Sequence, residues 1–231
     1  MTQPPFYVSP EQVMADRAEF ARAGIARGRS VVVLGYDEGI LLVADNPSSR
    51  SLNKISEIHD RIAFAGVGKY NEFENLRVAG IRYADLRGYS YDRSDVTARA
   101  LANAYAQTLG TVFTQDQKPY EVEIVVAEVG RAVADDRIYR LTYDGSVADE
   151  RGWVAVGGDS ARLNELLDEQ WRPGMDLEDA HRLAVEVLSG SAEGGAAGGL
   201  LPTDALETAV LERHRPRRCF RRVRGSLRGD G

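Results

Sequence analysis

The sequence predicts a four-layer α/β/β/α sandwich of the α+β class, and two observations carry that prediction. The first is the stretch 29–45, RSVVVLGYDEGILLVAD, which reads as a hairpin: two apolar runs joined by the short loop Asp37-Glu38-Gly39. Neither run alternates between apolar and polar residues, so both faces of its sheet are covered. The second is the order of elements: a helix, four strands, two helices, about three strands, two helices and two strands. Two antiparallel sheets, with helix pairs between and after them, stack with sheets inside and helices outside.

Residues 1–8 hold Pro4-Pro5, then Phe6 and Tyr7, and read as an extended tail because proline removes donors and stiffens the path. On its own such an end is expected to fray. Ser9-Pro10-Glu11-Gln12 is a helix start: Ser9 can cap, Pro10 suits the first helical position and Gln12 stands three residues after the cap. Met14, Ala18, Ala21 and Ile25 fall on one stripe, and Gly24 and Gly28 close the helix. That narrow face suits packing on its own domain or contact with a neighbouring subunit.

After the hairpin, Asn46-Pro47-Ser48-Ser49 reads as a turn, and 54–58 and 62–65 as strands around His59-Asp60-Arg61. Asn71 and Glu74 have capping spacing for a helix running to about Arg87, with Phe73, Leu76, Gly80, Tyr83 and Ala84 inside. Ser94 or Asp95 opens another helix, marked by Leu101, Ala104, Tyr105, Thr108 and Val112. Residues 120–129, 138–143 and 153–156 read as strands, with Asp144-Gly145 as a hairpin turn. Asp159-Ser160 caps a helix through Leu163, Leu166, Leu167 and Trp171, and Asp176 caps one that stops at Ser189-Gly190. The Gly/Ala-rich stretch 191–201 is a loop, and 206–211 and 219–223 are the last strands. The organisation expected is a tail (1–8), a helix (9–28), one sandwich domain (29–224) and a C-terminal tail (225–231).

Composition narrows the class of function. The chain has 231 residues, 43% hydrophobic and 28% charged, with a formal net charge of −6. Such a balance is ordinary for a soluble globular protein and is not that of a nucleic-acid binder. Cys219 is the only cysteine, which fits a reducing compartment. The N-terminus shows no basic and apolar regions of a secretory signal, and no apolar run is long enough for a bilayer, so the expected location is the cytoplasm.

Chemistry is sparse. His59, His181 and His214 stand far apart with no metal-ligand spacing, so neither a metal nor a cofactor is expected. Cys219 fills a strand face, and no serine has a nucleophile-elbow context. Gly66-Val67-Gly68-Lys69-Tyr70 follows a strand and precedes a helix, yet Ala63 replaces the first glycine of a phosphate loop and Tyr70 replaces its hydroxyl residue. Residues 213–228 hold eight arginines. With Phe220 and Val223 interleaved, these read as a solvated strand face paired with acids, in preference to a phosphate-binding surface.

Longer strings resemble one family. Ser9-Pro10-Glu11-Gln12, Gly24-Ile25-Ala26-Arg27, Asn46-Pro47-Ser48, Lys54-Ile55-Ser56-Glu57 and Lys69-Tyr70-Asn71-Glu72-Phe73 occur in order. They are followed by Tyr105-Ala106-Gln107-Thr108-Leu109-Gly110-Thr111, Lys118-Pro119-Tyr120-Glu121-Val122-Glu123, Leu141-Thr142-Tyr143-Asp144-Gly145-Ser146 and Arg215-Pro216-Arg217-Arg218. Together they resemble proteasome α subunits of the actinobacterial kind, over some two hundred residues. The resemblance implies the Ntn-hydrolase sandwich, in agreement with the four layers read above. It also implies a heptameric ring of α subunits stacked on β subunits, which hold the catalytic threonine.

A threonine nucleophile of that kind needs its own free amine at the start of the first strand. Here a capped helix precedes the strand and no threonine stands at 29–31, so no catalytic residue is expected. Asp45 and Lys54 resemble the acid and lysine that assist the threonine in β subunits. A stand-alone Ntn-type amidohydrolase is the competing reading. The resemblance further implies that Thr2, Gln3, Pro4, Pro5, Phe6, Tyr7 and Val8 form a gate over an axial pore. Lys54, with Gly68, resembles the pocket that receives the C-terminal carboxylate of an ATPase activator ending in a hydrophobic–tyrosine–any-residue motif. An ammonium and a carboxylate about 4 Å apart attract by about 4 kcal/mol at an effective dielectric of about 20, before desolvation. The implied partners are other α subunits, β subunits, the activator, and protein substrates tagged by a ubiquitin-like modifier. The segment 114–118, between a helix and a strand, is expected to line the pore.

Overall fold

The computed structural model describes residues 9–49, 51–191 and 200–223. The expected tails 1–8 and 225–231 and most of the 191–201 loop lie outside the described residues. Ser9 opens α1 (Pro10–Ala26): its hydroxyl accepts from the Gln12 amide at 3.2 Å, and Pro10 occupies the first turn. Next come β1 (Val31–Tyr36) and β2 (Gly39–Asp45), joined by the two-residue turn Asp37-Glu38. β3 (Ile55–His59) and β4 (Ile62–Gly68) lead into α2 (Tyr70–Ser90) and α3 (Ala98–Gln115). β5 (Val122–Glu128), β6 (Arg137–Leu141), β7 (Val147–Glu150) and β8 (Trp153–Val156) follow. The last described elements are α4 (Ser160–Gln170), α5 (Leu177–Ser191), β9 (Leu206–Glu212) and β10 (Phe220–Val223).

Two five-stranded antiparallel sheets form, in the orders β10-β9-β2-β1-β8 and β3-β4-β5-β6-β7. Alternate side chains of the hairpin go to two different cores. Val31, Val33, Ile40, Leu42 and Ala44 face the other sheet, meeting Ala63, Ala65, Val67, Val125 and Ala127. Val32, Leu34, Leu41 and Val43 face α4 and α5, meeting Leu163, Leu167, Ala184 and Leu188. Phe64, Ile124 and Val126 pack under α2 and α3 with Phe73, Leu76, Leu101 and Tyr105. Each fully buried Val or Leu contributes about 1.5–3 kcal/mol, so a polar residue on either face of the hairpin would be costly. This accounts for the missing alternation, and the four-layer sandwich is as expected.

Local expectations needed correction where a competing partner won. Asn71 is not the cap of α2: that position is Lys69, which makes no side-chain cap bond, and Glu74 pairs with Arg77 instead of completing a box. Ser94 and Asp95 belong to a separate short turn capped by Asp92, and Thr97 caps α3 by accepting from the Ala100 amide. Strand β7 was unforeseen, because its residues Val-Ala-Asp-Glu, alternately exposed and half-buried at a sheet edge, carry no apolar run. Strand β8 leaves the second sheet and pairs with β1, with Val31 opposite Val156.

Among the described residues of the arginine run, 213–219 are turn and coil, with Arg218 at φ 49 before β10. Arg213 pairs with Asp136, Arg215 and Arg221 with Glu212, Arg218 with Glu57, and Arg222 with Glu207. A groove of about 570 Å3 lined by Arg77, Arg215, Arg218 and Arg222 is therefore already supplied with carboxylates. Among the described residues, no helix is long and apolar enough to cross a membrane.

Candidate functional site

The site begins where α1 hands over to β1. Arg27 ends the helix, and Gly28 donates back to the Ile25 carbonyl at 2.8 Å. A Cβ on Gly28 would lie 2.7 Å from Val67 Cγ1 and 3.1 Å from the Gly68 nitrogen, so this crossing of two backbones admits only glycine. Gly68 has φ +103, and a Cβ there would sit on the Glu121 carbonyl oxygen. Ser30, buried just before β1, accepts at its carbonyl from the Asp45 amide at 3.1 Å.

Around this junction three charged side chains converge. Arg29 donates through Nη1 to both oxygens of Asp45, at 3.0 and 2.9 Å. The guanidinium is 56% exposed, so the pair contributes about 1 kcal/mol or less. Lys54 Nζ donates to the Arg29 carbonyl at 2.6 Å. The amides of Lys54 and Ile55 donate to Glu207 at 2.8 and 3.1 Å, and Asn46 and Arg222 donate to the same carboxylate at 2.8 and 2.6 Å. Glu207, on β9 of the first sheet, therefore holds the first residue of β3 in the second sheet, and Lys54 is aimed by its own backbone.

Burial pushes the Lys54 ammonium down to about 8. Asp45 and Glu207 resist that shift and the Arg29 cation adds to it. Among the described residues Lys54 makes no carboxylate salt bridge of its own, and Asp45 is paired with Arg29. Such a lysine gains from any further anion that reaches it.

The structure brings Lys54 and Gly68 to one end of the second sheet. Lys54 lies opposite Gly66 in the β3–β4 pairing, with the Gly66 amide donating to the Lys54 carbonyl at 3.0 Å, and Gly68 stands two residues on. Gly28 and Arg29 connect them, and sequence reasoning missed both, together with Glu207. The hairpin register already implied Arg29: with Val31 opposite Ala44, Ser30 falls opposite Asp45 and Arg29 beside it. Nothing local signalled Glu207, which reaches its partners across 153 residues of chain. The residues 2–8 lie outside the described residues. Segment 114–118 holds the last two residues of α3 and the bend that follows it, with Lys118 bonded to Glu72 and the Pro119 carbonyl. No group of three or more His, Cys, Asp or Glu among the described residues could hold a metal ion.

Comparison with known proteins follows the same direction. Residues 25–200 match the family described as Proteasome subunit. The chain is 66% identical to "Proteasome subunit alpha" of Sanguibacter keddieii, over 98% of this chain and 88% of that one. It is 67% identical to the protein of that name in Xylanimonas cellulosilytica, over 98% and 95% of the two chains. With the Streptomyces griseus protein of the same name the identity is 61%, over 96% and 82%.

Proposed function

Because the chain belongs to the proteasome family, as an α subunit, we propose that it admits and docks but does not cut. It assembles with other proteasome subunits. In the reading proposed, it forms the outer heptameric ring of the 20S core in the cytoplasm, stacked on β subunits that carry out proteolysis. Residues 2–8 gate the axial pore, and the Lys54 end of the sandwich receives the terminal carboxylate of an ATPase ring that delivers tagged substrates.

One observation carries the non-catalytic half. The lysine that could assist an N-terminal nucleophile donates instead to the carbonyl of Arg29, a peptide group inside a continuous chain. A helix of 17 residues precedes that peptide, so the free amine required for threonine catalysis has no place at the strand start. The docking half is supported by the same lysine: a compact ammonium, held on its backbone by Glu207 and pointed at the Arg29 carbonyl.

The test is Lys54→Ala in a core assembled with β subunits. Activator-stimulated degradation is expected to fall by about tenfold or more, as one charge-assisted contact is lost. Basal cleavage of short peptides is expected to persist. Parallel loss of both activities would point to failed assembly and sink the docking role.

A further inference from the structure

The two lateral edges of the sandwich carry opposite charge. On one side the edge strands are β10 and β3, one from each sheet. Arg222 of β10 stitches them, donating to Glu207 at 2.6 Å and to the Ile55 carbonyl at 2.5 Å. Arg218, in the turn before β10, pairs with Glu57 of β3 at 3.1 Å. The other carboxylates of this edge lie underneath: Glu207 and Glu212 are buried, and the guanidiniums of Arg215, Arg221 and Arg222 close over them. Solvent therefore meets cations. The Arg218 side chain is 79% exposed, and exposed Arg217 makes no ion pair or hydrogen bond among the described residues. Glu57 is one carboxylate beside two exposed guanidiniums, and Glu212 is shared by Arg215 and Arg221, so the edge keeps a positive balance.

On the other side the edge strands are β8 and β7. The β8 edge is covered: Asn164 of α4 accepts from the Ala155 amide at 2.8 Å and donates to the Ala155 carbonyl at 3.0 Å. Strand β7 pairs with β6 alone and has no such cover among the described residues. It presents Val147, 41% exposed, and exposed Asp149, whose carboxylate makes no ion pair or hydrogen bond among the described residues. Glu150 pairs with Arg140, and Arg151 lies past the strand end.

Register sets the two edges level. One rung of the second sheet runs from Asp149 through Tyr139, Val126 and Phe64 to Ser56. The next runs from Glu150 through Ile138, Ala127 and Ala63 to Glu57, the partner of Arg218. A second copy set beside the first on the same rungs brings its Asp149 to the arginine groove, which Ser56, Glu57 and Arg218 line. Two β7 edges would oppose acid to acid, and two arginine edges would oppose cation to cation, so only unlike edges attract. Such a contact is head-to-tail, and it makes a ring when the rotation between copies closes.

We propose that strand β7 of one copy seats against the arginine edge of the next, with Asp149 facing Arg217 and Arg218. The contact rests on the ring assembly of the proposed function and names the two faces that join its copies.

The test is a charge swap in the full chain expressed with β subunits, with copy number read by native mass spectrometry and association by sedimentation. Asp149→Arg and Arg218→Asp each set like charges across the contact, and each is expected to weaken association about tenfold. Aspartate suits position 218 because it tolerates the positive φ there. The double variant restores opposite charges and is expected to associate within about threefold of wild type. A second readout needs no loss of assembly. Under mild oxidation, a chain carrying both Asp149→Cys and Glu57→Cys is expected to give a ladder of covalent multimers, and neither single variant is. Wild-type association in both reversals, or no recovery in the double variant, beside wild-type rings that form, would overturn the contact and leave the ring standing. Covalent dimers from Asp149→Cys alone would place β7 against β7 and overturn it too. A wild-type chain that forms no multi-copy assembly with β subunits would remove the ring, and the contact with it.

Discussion

Glu207 is 5% exposed and accepts from two amides, an asparagine and an arginine. Glu207→Ala would leave those donors unpaired at the seam between sheets. A loss of about 2–3 kcal/mol is expected in urea unfolding, since Arg222 can recover some solvation. Lys54 makes a pH prediction with two opposite limbs. Its ammonium titrates near 8 in the folded chain and near 10.5 when unfolded. Between these values the unfolded state binds more protons, so the Lys54 contribution to stability rises with pH across that window. Docking of a carboxylate should weaken over the same rise, because the ammonium is lost. Unfolding titrations of wild type and Lys54→Met would isolate the first limb, and binding of an activator C-terminal peptide from pH 7 to 9 the second. Parallel pH curves for wild type and Lys54→Met would remove the assigned shift.

At the scale of elements, α2 and α3 meet through Gly80 and Tyr105. A Cβ on Gly80 would overlap the Tyr105 hydroxyl oxygen, which has no hydrogen-bond partner among the described residues. Alanine improves helix propensity by about 1 kcal/mol, but overpacking costs about 1–3 kcal/mol and should prevail. Gly80→Ala is therefore expected to lower the midpoint of thermal unfolding, and adding Tyr105→Phe to restore most of it. Failure of the double variant to recover would show that the helices part for another reason. Elements were legible where their signals were local. Ser9-Pro10 marked α1, and the 29–45 hairpin declared itself by composition. Asn71 misled because its capping spacing was real but Glu74 found Arg77 instead. The edge strand β7 was silent because a partly exposed strand of this composition has no apolar run to show.

For the whole molecule, two outcomes follow from the proposed role. The purified chain alone should hydrolyse no peptide at any substrate concentration, and turnover that survives removal of β subunits would favour the amidohydrolase reading. A core lacking residues 2–8 should cleave short peptides faster than the intact core, measured at equal β content. At this scale the helix before the first strand was legible from its cap, and Lys54 was singled out by its string. The position of Gly68 at the same sheet end was consistent with that, but the part played by Gly28, Arg29 and Glu207 was not visible.

The division follows from range. By itself the sequence determined the class of fold and the family, because hydrophobic runs, caps and ordered strings are local properties. Only the tertiary structure decided what Lys54 touches and which sheet β8 joins, because those depend on partners brought together from distant segments. Glu207 acts across 153 residues of chain, and no local pattern encodes a meeting that packing alone creates.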